Sequence, residues 1–412
     1  MTSIPYIDEA RLWKRHMAMA KIGALPGGGV NRPALSPGDA QSRSLLARWA
    51  EDLGFSVATD PIGNLFVRRP GADDSLAPVM SGSHLDTQPT GGKFDGAFGV
   101  LAAFEALQAI HEAGIVTKRP IEVVSWTNEE GSRFQPGCSG SSAFTGAIPL
   151  DRILAAVDRD GISARDALAA VLSSERGMAM RPLGFPVAAY LECHIEQGPR
   201  LEEAGIPVGI VTGIQGSRWF AVEVLGDEAH AGTTPRRNRR DALVAAVAMV
   251  SALERLMLDE EDRVRFTVGR FEVQPGSPNT IPGRVFFTID FRHPEASTLK
   301  RLGDQVDAVC RAHAGPCAVT IEETFHSLPT EFDPTVVAAM RGAAERLGVR
   351  TLDLSSGALH DAKFLQDVCP SGMLFVPCEG GISHNEAENA KPSDLADGTR
   401  VLAETLVALA NA

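Results

Sequence analysis

The stretch Val79-Met80-Ser81-Gly82-Ser83-His84-Leu85-Asp86-Thr87-Gln88-Pro89-Thr90-Gly91-Gly92-Lys93-Phe94-Asp95-Gly96 decides the reading of this 412-residue chain. It opens as a short apolar strand over 79–83. It continues as a polar, glycine-rich loop and delivers Asp95 where a helix begins. Residues 97–113 carry apolar side chains at helical spacing and stop at Gly114, a residue suited to the left-handed position that closes helices. Strand, loop and helix make one half of a βα crossover. The pattern repeats further along the chain. Ile121 to Thr127 is a strand rich in β-branched and aromatic residues. Asp151 to Val171 reads as two short helices divided at Asp160-Gly161, and Val187 to Ile195 as another strand. Such alternation specifies an α/β sheet with helices on its faces.

After Gly213 the pattern changes. Trp219 to Leu225 is a strand, Arg240 to Leu256 a helix, and Arg265 to Val273 and Arg284 to Arg292 are strands. A helix over 297–314 and a strand over 318–324 follow. This β-α-β-β-α-β order is the ferredoxin-like split unit. A helix over 333–347, a strand over 371–376 and a helix over 394–410 then resume the first pattern. The expected architecture is a split α/β domain (1–213 and 329–412) whose mixed sheet is flanked by helices. An α+β domain is inserted at 214–328.

Lys plus Arg is 39 and Asp plus Glu 52, a net charge of −13, with 44% hydrophobic residues. That is enough apolar mass for a core and too much for a disordered chain. The acidic balance argues against nucleic acid and anionic membrane as partners. No segment approaches the roughly 20 uninterrupted apolar residues of a membrane span. Met1 to Ala20 is too charged for a signal peptide and is expected to form an amphipathic helix. Six scattered cysteines without a CxxC pair suit reduced thiols in a cytoplasm. Pro26-Gly27-Gly28-Gly29 lacks the spacing of a dinucleotide fingerprint and is expected to be a mobile loop.

Four clusters carry chemistry. His84 and Asp86 follow the first strand at a spacing that fits a metal-ligating imidazole with a carboxylate to orient it. Asp95 can cap the next helix or bind metal. Asn128-Glu129-Glu130-Gly131 places two carboxylates at the C-terminal end of a strand, where α/β sheets bind ligands. In Leu191-Glu192-Cys193-His194-Ile195-Glu196-Gln197-Gly198, period 2 puts Glu192, His194 and Glu196 on one face. Gly380-Gly381-Ile382-Ser383-His384-Asn385-Glu386 is a loosened loop after the strand over 371–376. Each cluster alone is weak, since paired acids usually line a solvated turn and an isolated histidine is usually structural. Together they offer three histidines and several carboxylates near strand ends of one sheet, a candidate dinuclear metal site.

The segments HLDT-QPTGGKFDG, TNEEGSRF, ECHIEQGP, HAGTTP, DFR and ISHNEAE resemble the hydantoinase/carbamoylase family within the dinuclear-zinc aminoacylase/carboxypeptidase superfamily. That family includes N-carbamoyl-L-amino acid hydrolases, β-ureidopropionases and allantoate amidohydrolases. The resemblance runs from about Arg43 to the C-terminus, with Asp151 to Gly184 the weaker part. It implies hydrolysis of the ureido C–N bond of N-carbamoyl amino acids or N-carbamoyl-β-alanine, releasing amino acid, CO2 and ammonia. It implies two divalent metals, Zn2+ first, with Mn2+, Co2+ and Ni2+ compatible with the same ligands. Asp95 would bridge them, His84 and His194 completing one site and Glu130 and His384 the other. Glu129 would be the general base, with Asp86 a carboxylate behind the ligands. In the inserted domain, the resemblance makes His230 an oxyanion stabiliser that acts on the partner subunit of a homodimer. It makes Asn279 a substrate contact. Arg292 would fork onto the substrate carboxylate. Gln197 and His360 are further pocket candidates. The run Arg236-Arg237-Asn238-Arg239-Arg240 is expected to be a solvated approach to a helix. The competing readings are allantoate amidohydrolase, a dipeptidase or deacylase of the same superfamily, a two-metal phosphoesterase, and a non-catalytic metal-binding protein. The last predicts a lost ligand or base, and none is missing.

Overall fold

The computed structural model describes residues 6–175 and 177–412. The chain divides into two compact units, one running to Thr212 and resuming over Phe332–Ala412, the other Gly213–Glu331.

Four strands lie side by side and parallel at the centre of the first unit, in the order Ser371–Val376, Ala189–Ile195, Val79–His84 and Ile121–Trp126. Val208–Ile214 pairs antiparallel on one side. Leu65–Arg69 pairs antiparallel on the other, followed by Ser56–Thr59 and Ala179–Met180, so the sheet is mixed. Every residue of the four central strands is buried, as parallel strands covered on both faces must be. Close packing between neighbours explains Gly82, where a Cβ would lie 1.8 Å from the Val124 carbonyl oxygen.

Helices Ala97–Glu112 and Pro392–Ala410 pack on this sheet and on each other. The first is buried on all sides from Ala97 to Ile110, Glu105 included. Arg11 and Arg15 pair with this buried carboxylate at 2.7 and 3.1 Å. Arg11 and Arg15 lie on or near the N-terminal helix, Glu9–Met19, whose cap Asp8 accepts the Arg11 amide. The first five residues of the expected Met1–Ala20 helix lie outside the described residues. The helix Pro37–Asp52 and the two strands that follow it were not read from the sequence.

The Pro26–Gly29 segment is not the loose loop expected. Leu25 donates to the Gly29 carbonyl at 2.9 Å, and Val30 exchanges hydrogen bonds with Gly91 at 2.9 and 3.1 Å. Gly29 leaves no room for a side chain, since a Cβ there would stand 2.5 Å from the Gly91 carbonyl oxygen and 2.7 Å from the Glu386 Cα.

The second unit is ferredoxin-like. Ala318–Ser327, Gly216–Leu225 and Arg284–His293 form adjacent antiparallel strands, and Arg265–Thr267 and Phe271–Gln274 both pair with Arg284–His293. Burial alternates residue by residue along Arg284–His293, and Val285, Phe287, Ile289 and Phe291 join Met249 and Leu253 of helix Ala242–Met257 in the core. Two expected elements are each broken in two. The strand over 265–273 gains a residue against its partner: Thr267 faces Asp290 and Phe271 faces Phe287, four steps against three. Such an extra residue bends a strand and interrupts its ladder. The helix over 297–314 splits into Ala296–Gly303 and Val306–Ala312. Arg218 enters at the break, donating to Asp304 at 3.0 Å and the Lys300 carbonyl at 3.4 Å. Its guanidinium occupies the space a side chain on Gly303 would need.

Among the described residues no helix is long and apolar enough to cross a membrane. The six cysteines are free and buried.

Candidate metal centre

All four chemical clusters lie at the C-terminal ends of the four parallel strands. His84 ends Val79–His84, His194 lies near the end of Ala189–Ile195, and Glu129 and Glu130 follow Ile121–Trp126. His384 follows Ser371–Val376. Parallel strands ending together make the crevice in which open α/β sheets bind ligands.

Asp95 is the centre of the cluster. Its Oδ1 lies 3.1 Å from His194 Nε2 and 3.8 Å from His84 Nε2, and its Oδ2 lies 3.2 Å from His384 Nε2. Glu130 stands 3.6 Å from His384 Nε2. Two groups of donors result, His84-Asp95-His194 and Asp95-Glu130-His384, sharing the one carboxylate. The Asp95 side chain does not cap helix Ala97–Glu112, which has no side-chain cap. Gly96, at φ 62°, turns the chain there, and a Cβ on it would strike the His84 ring at 2.3 Å.

The imidazoles are pre-oriented. His84 Nδ1 hydrogen-bonds the Asp86 carbonyl at 2.9 Å and His194 Nδ1 the Ile195 carbonyl at 2.9 Å. Each Nδ1 therefore donates, which turns each Nε2 toward Asp95, and the Gly96 amide reaches His194 Nε2 at 3.2 Å. The Asp86 carboxylate stands 3.8 Å from His84 Nδ1, while the Asp86 carbonyl makes the hydrogen bond to that nitrogen. The carboxylate accepts the main-chain amides of Glu129 and Glu130, each at 3.2 Å, and so holds the two glutamates at the rim.

Electrostatics favour a cationic occupant. Burial, then Asp361 and Glu130, push the Glu129 carboxyl well above its usual range. Burial and Asp95 push Glu130 up to about 8. Burial alone would raise Asp95, but His194 and His384 outweigh it and hold it well below the ordinary value. His194 is raised to about 9 by the Asp95 hydrogen bond working against burial, and His384 to about 9 chiefly by Asp95. Carboxylates this crowded and this buried are stabilised when positive charge is brought among them. The donor set, imidazole nitrogen and carboxylate oxygen in two groups of three, fits divalent transition-metal ions.

Glu129 Oε2 lies 3.4 Å from His84 Nε2, beside the shared carboxylate. Its other oxygen, Oε1, accepts the Cys138 thiol at 3.4 Å. Gln197, at φ 57°, donates to Asp95 Oδ2 at 3.1 Å, so it touches the shared carboxylate. His360 is buried, bonded to Ser356 Oγ at 2.8 Å, with its ring centroid 4.7 Å from that of His194. The acids flanking His194 do other work. Glu192 is buried with Ser83 and Tyr190, and Glu196 accepts the Arg200 and Leu201 amides that open the next helix.

One member was missed in the sequence. Glu388, 1% exposed, accepts the amides of Phe94 and Asp95 and hydrogen-bonds Ser383. The only signal was an acid four residues beyond His384. Arg32, fully buried, was also missed; it donates to the Leu85 carbonyl at 2.7 Å beneath the His84–Asp86 loop.

In the inserted unit, His230 and Asn279 are neighbours: Thr280 pairs with His230, and Ala231 donates to the Asn279 carbonyl at 2.9 Å. Arg292 forms an ion pair with Asp290 at 2.7 Å.

Residues 80–408 match the family described as Peptidase family M20/M25/M40, and the chain belongs to that family of hydrolases. It is 40% identical over 402 residues to an N-carbamoyl-L-amino-acid amidohydrolase of Rhizobium meliloti, covering 96% of this chain and 95% of that one. It is also 40% identical to an N-carbamoyl-L-amino acid amidohydrolase of Geobacillus stearothermophilus, covering 98% and 99%. The crystal structure of a hydantoinase/carbamoylase family amidase from Burkholderia multivorans superposes with a TM-score of 0.93, at 44% identity, covering 99% of each chain.

Proposed function

We propose that this hydrolase cleaves the carbamoyl C–N bond of N-carbamoyl amino acids or N-carbamoyl-β-alanine, releasing the amino acid, CO2 and ammonia. The observation that carries the reading is the Asp95 carboxylate shared between two donor groups, with Glu129 beside it. His84, His194 and Asp95 would hold one divalent cation, and Asp95, Glu130 and His384 a second; Zn2+ suits these ligands best. Such cations, when bound, acidify water and polarise a carbonyl.

The chain's own groups do the rest. Glu129 accepts a proton from the attacking water and delivers it to the leaving nitrogen. Attack on the carbamoyl carbon gives a tetrahedral intermediate that collapses to the amino acid and carbamate, which breaks down to CO2 and ammonia. His230 donates a hydrogen bond to the oxyanion, Asn279, Gln197 and His360 contact the substrate, and Arg292 takes its carboxylate.

The deciding experiment measures ammonia release from N-carbamoyl-β-alanine, a set of N-carbamoyl-L-amino acids, and allantoate, on chelated and metal-reconstituted protein. Metal-dependent release from an N-carbamoyl acid is expected. Turnover of allantoate alone, or of dipeptides or N-acyl amino acids alone, would overturn the assignment. The inserted unit is also assigned a homodimer contact, and the working compartment is assigned to the cytoplasm. Mixing inactive Glu129→Gln chains with inactive His230→Ala chains should restore activity if His230 acts across that contact. No recovery in demonstrably mixed dimers refutes the crossed arrangement.

A further inference from the structure

We propose that Arg239 is a positioning residue for His230, holding the loop that aims the imidazole Nε2–H; the catalytic consequence rests on the oxyanion role given to His230 above. Arg236, Arg237 and Arg240 are exposed, but Arg239 is half-buried. Its Nε donates to the Thr234 carbonyl at 2.9 Å and its Nη2 to the Ala231 carbonyl at 2.7 Å. Those two carbonyls bracket the turn that begins at His230, where Thr234 donates to the His230 carbonyl at 3.1 Å. One planar fork thus ties both sides of a five-residue loop, a geometry that the single ammonium of lysine cannot reproduce.

The loop in turn sets the tautomer. His230 Nδ1 accepts the Gly232 amide at 3.1 Å and the Thr233 amide at 3.2 Å. A ring nitrogen that accepts carries no proton, so the neutral ring keeps its hydrogen on Nε2. An oxyanion needs a donor, and this arrangement keeps one aimed before substrate arrives. The preceding residues are held independently, by the pairing of Thr280 with His230 and Ile281 with Ala229. Arg240 is differently employed, at Asp227 and the Pro316 carbonyl, and serves as a control.

The test uses the metal-loaded enzyme as wild type, Arg239→Ala, Arg239→Lys, His230→Ala, the Arg239→Ala/His230→Ala double variant and Arg240→Ala. kcat and KM are measured on the N-carbamoyl substrate turned over best, with metal content beside them. His230→Ala should lower kcat about 10²- to 10³-fold. Arg239→Ala should lower it about 10²-fold with KM and metal content near wild type, because it misplaces a donor. Lysine should recover only part, and Arg240→Ala should match wild type. In the His230→Ala background, Arg239→Ala should cost nothing more. The His230 ring nitrogens, assigned among the ten histidines by loss of signal in His230→Ala, should report one tautomer in wild type and a mixture in Arg239→Ala. Losses that multiply in the double variant, or an unchanged tautomer in Arg239→Ala, would overturn the proposal. Full activity of His230→Ala with a changed tautomer in Arg239→Ala would instead remove the oxyanion role and leave the positioning contact standing.

Discussion

Glu388 accepts the main-chain amide of Asp95 at 3.0 Å, and that of Phe94 at 2.9 Å through the same oxygen. Its second oxygen and Asp95 Oδ2 each lie 3.1 Å from Ser383 Oγ, whose one proton serves one carboxylate at a time. A buried acid outside both donor groups therefore sets the backbone of the carboxylate they share. Glu388→Ala should weaken divalent-cation affinity about 10- to 100-fold, the usual cost of removing a residue that orients a ligand. Glu388→Gln, which keeps an acceptor oxygen, should lose less. Chelator competition measures both, and wild-type affinity in Glu388→Ala would contradict the role.

Glu129 is raised well above its usual range by burial and by neighbouring acids, which suits a proton acceptor that must also release its proton. Glu129→Gln should keep both metals and lose about 10²- to 10⁴-fold in kcat. Metal analysis beside a single-turnover assay checks this, and retained turnover would remove Glu129 as the base.

Metal uptake should depend on pH. In the metal-free protein Glu130 is raised to about 8 by burial and Asp95, and His194 and His384 to about 9 by Asp95. All three hold protons near neutrality that a cation must displace. Affinity should therefore fall as pH is lowered through about 9 and 8, and uptake at neutral pH should release protons. Calorimetry in buffers of different ionisation enthalpy counts those protons. Constant affinity across this range with no proton release would contradict the linkage.

Arg292 and Asp290 project from the same strand two residues apart and pair at 2.7 Å. On the role proposed for Arg292, a substrate carboxylate would compete with Asp290 for that fork. Arg292→Ala should raise KM roughly 10- to 100-fold, the worth of a hydrogen bond between charged groups. Lysine should not rescue it, and Asp290→Asn should lower KM. Steady-state kinetics separate these outcomes, and an unchanged KM in Arg292→Ala would refute the clamp.

Much of this was legible in the sequence because it is local. Apolar runs such as Ile121–Trp126 declare strands, and the His, Asp and Glu residues just past them sit where strand backbones end. The βαββαβ order of the inserted unit follows from periodicity alone. Packing overrode the local signal where Arg218 enters the break after Gly303 and where one extra residue bends the strand after Thr267.

Ligand types, and their place at the C-terminal ends of parallel strands, were determined by the sequence itself, since strand ends and the chemistry of imidazole and carboxylate are properties of short segments. The resemblance already divided the ligands between His84 and His194 on one side and His384 on the other, and the tertiary structure supplies the geometry, Asp95 Oδ1 facing the first pair and Oδ2 the last. Tertiary structure alone showed that Asp86 holds the amides of Glu129 and Glu130, that Glu388 holds that of Asp95, and that Arg239 turns inward from an arginine run. These are hydrogen bonds from side chains to main-chain groups, many of them remote in the chain. Such bonds have no period and no spacing, and they exist only once the strands have taken their order in the sheet.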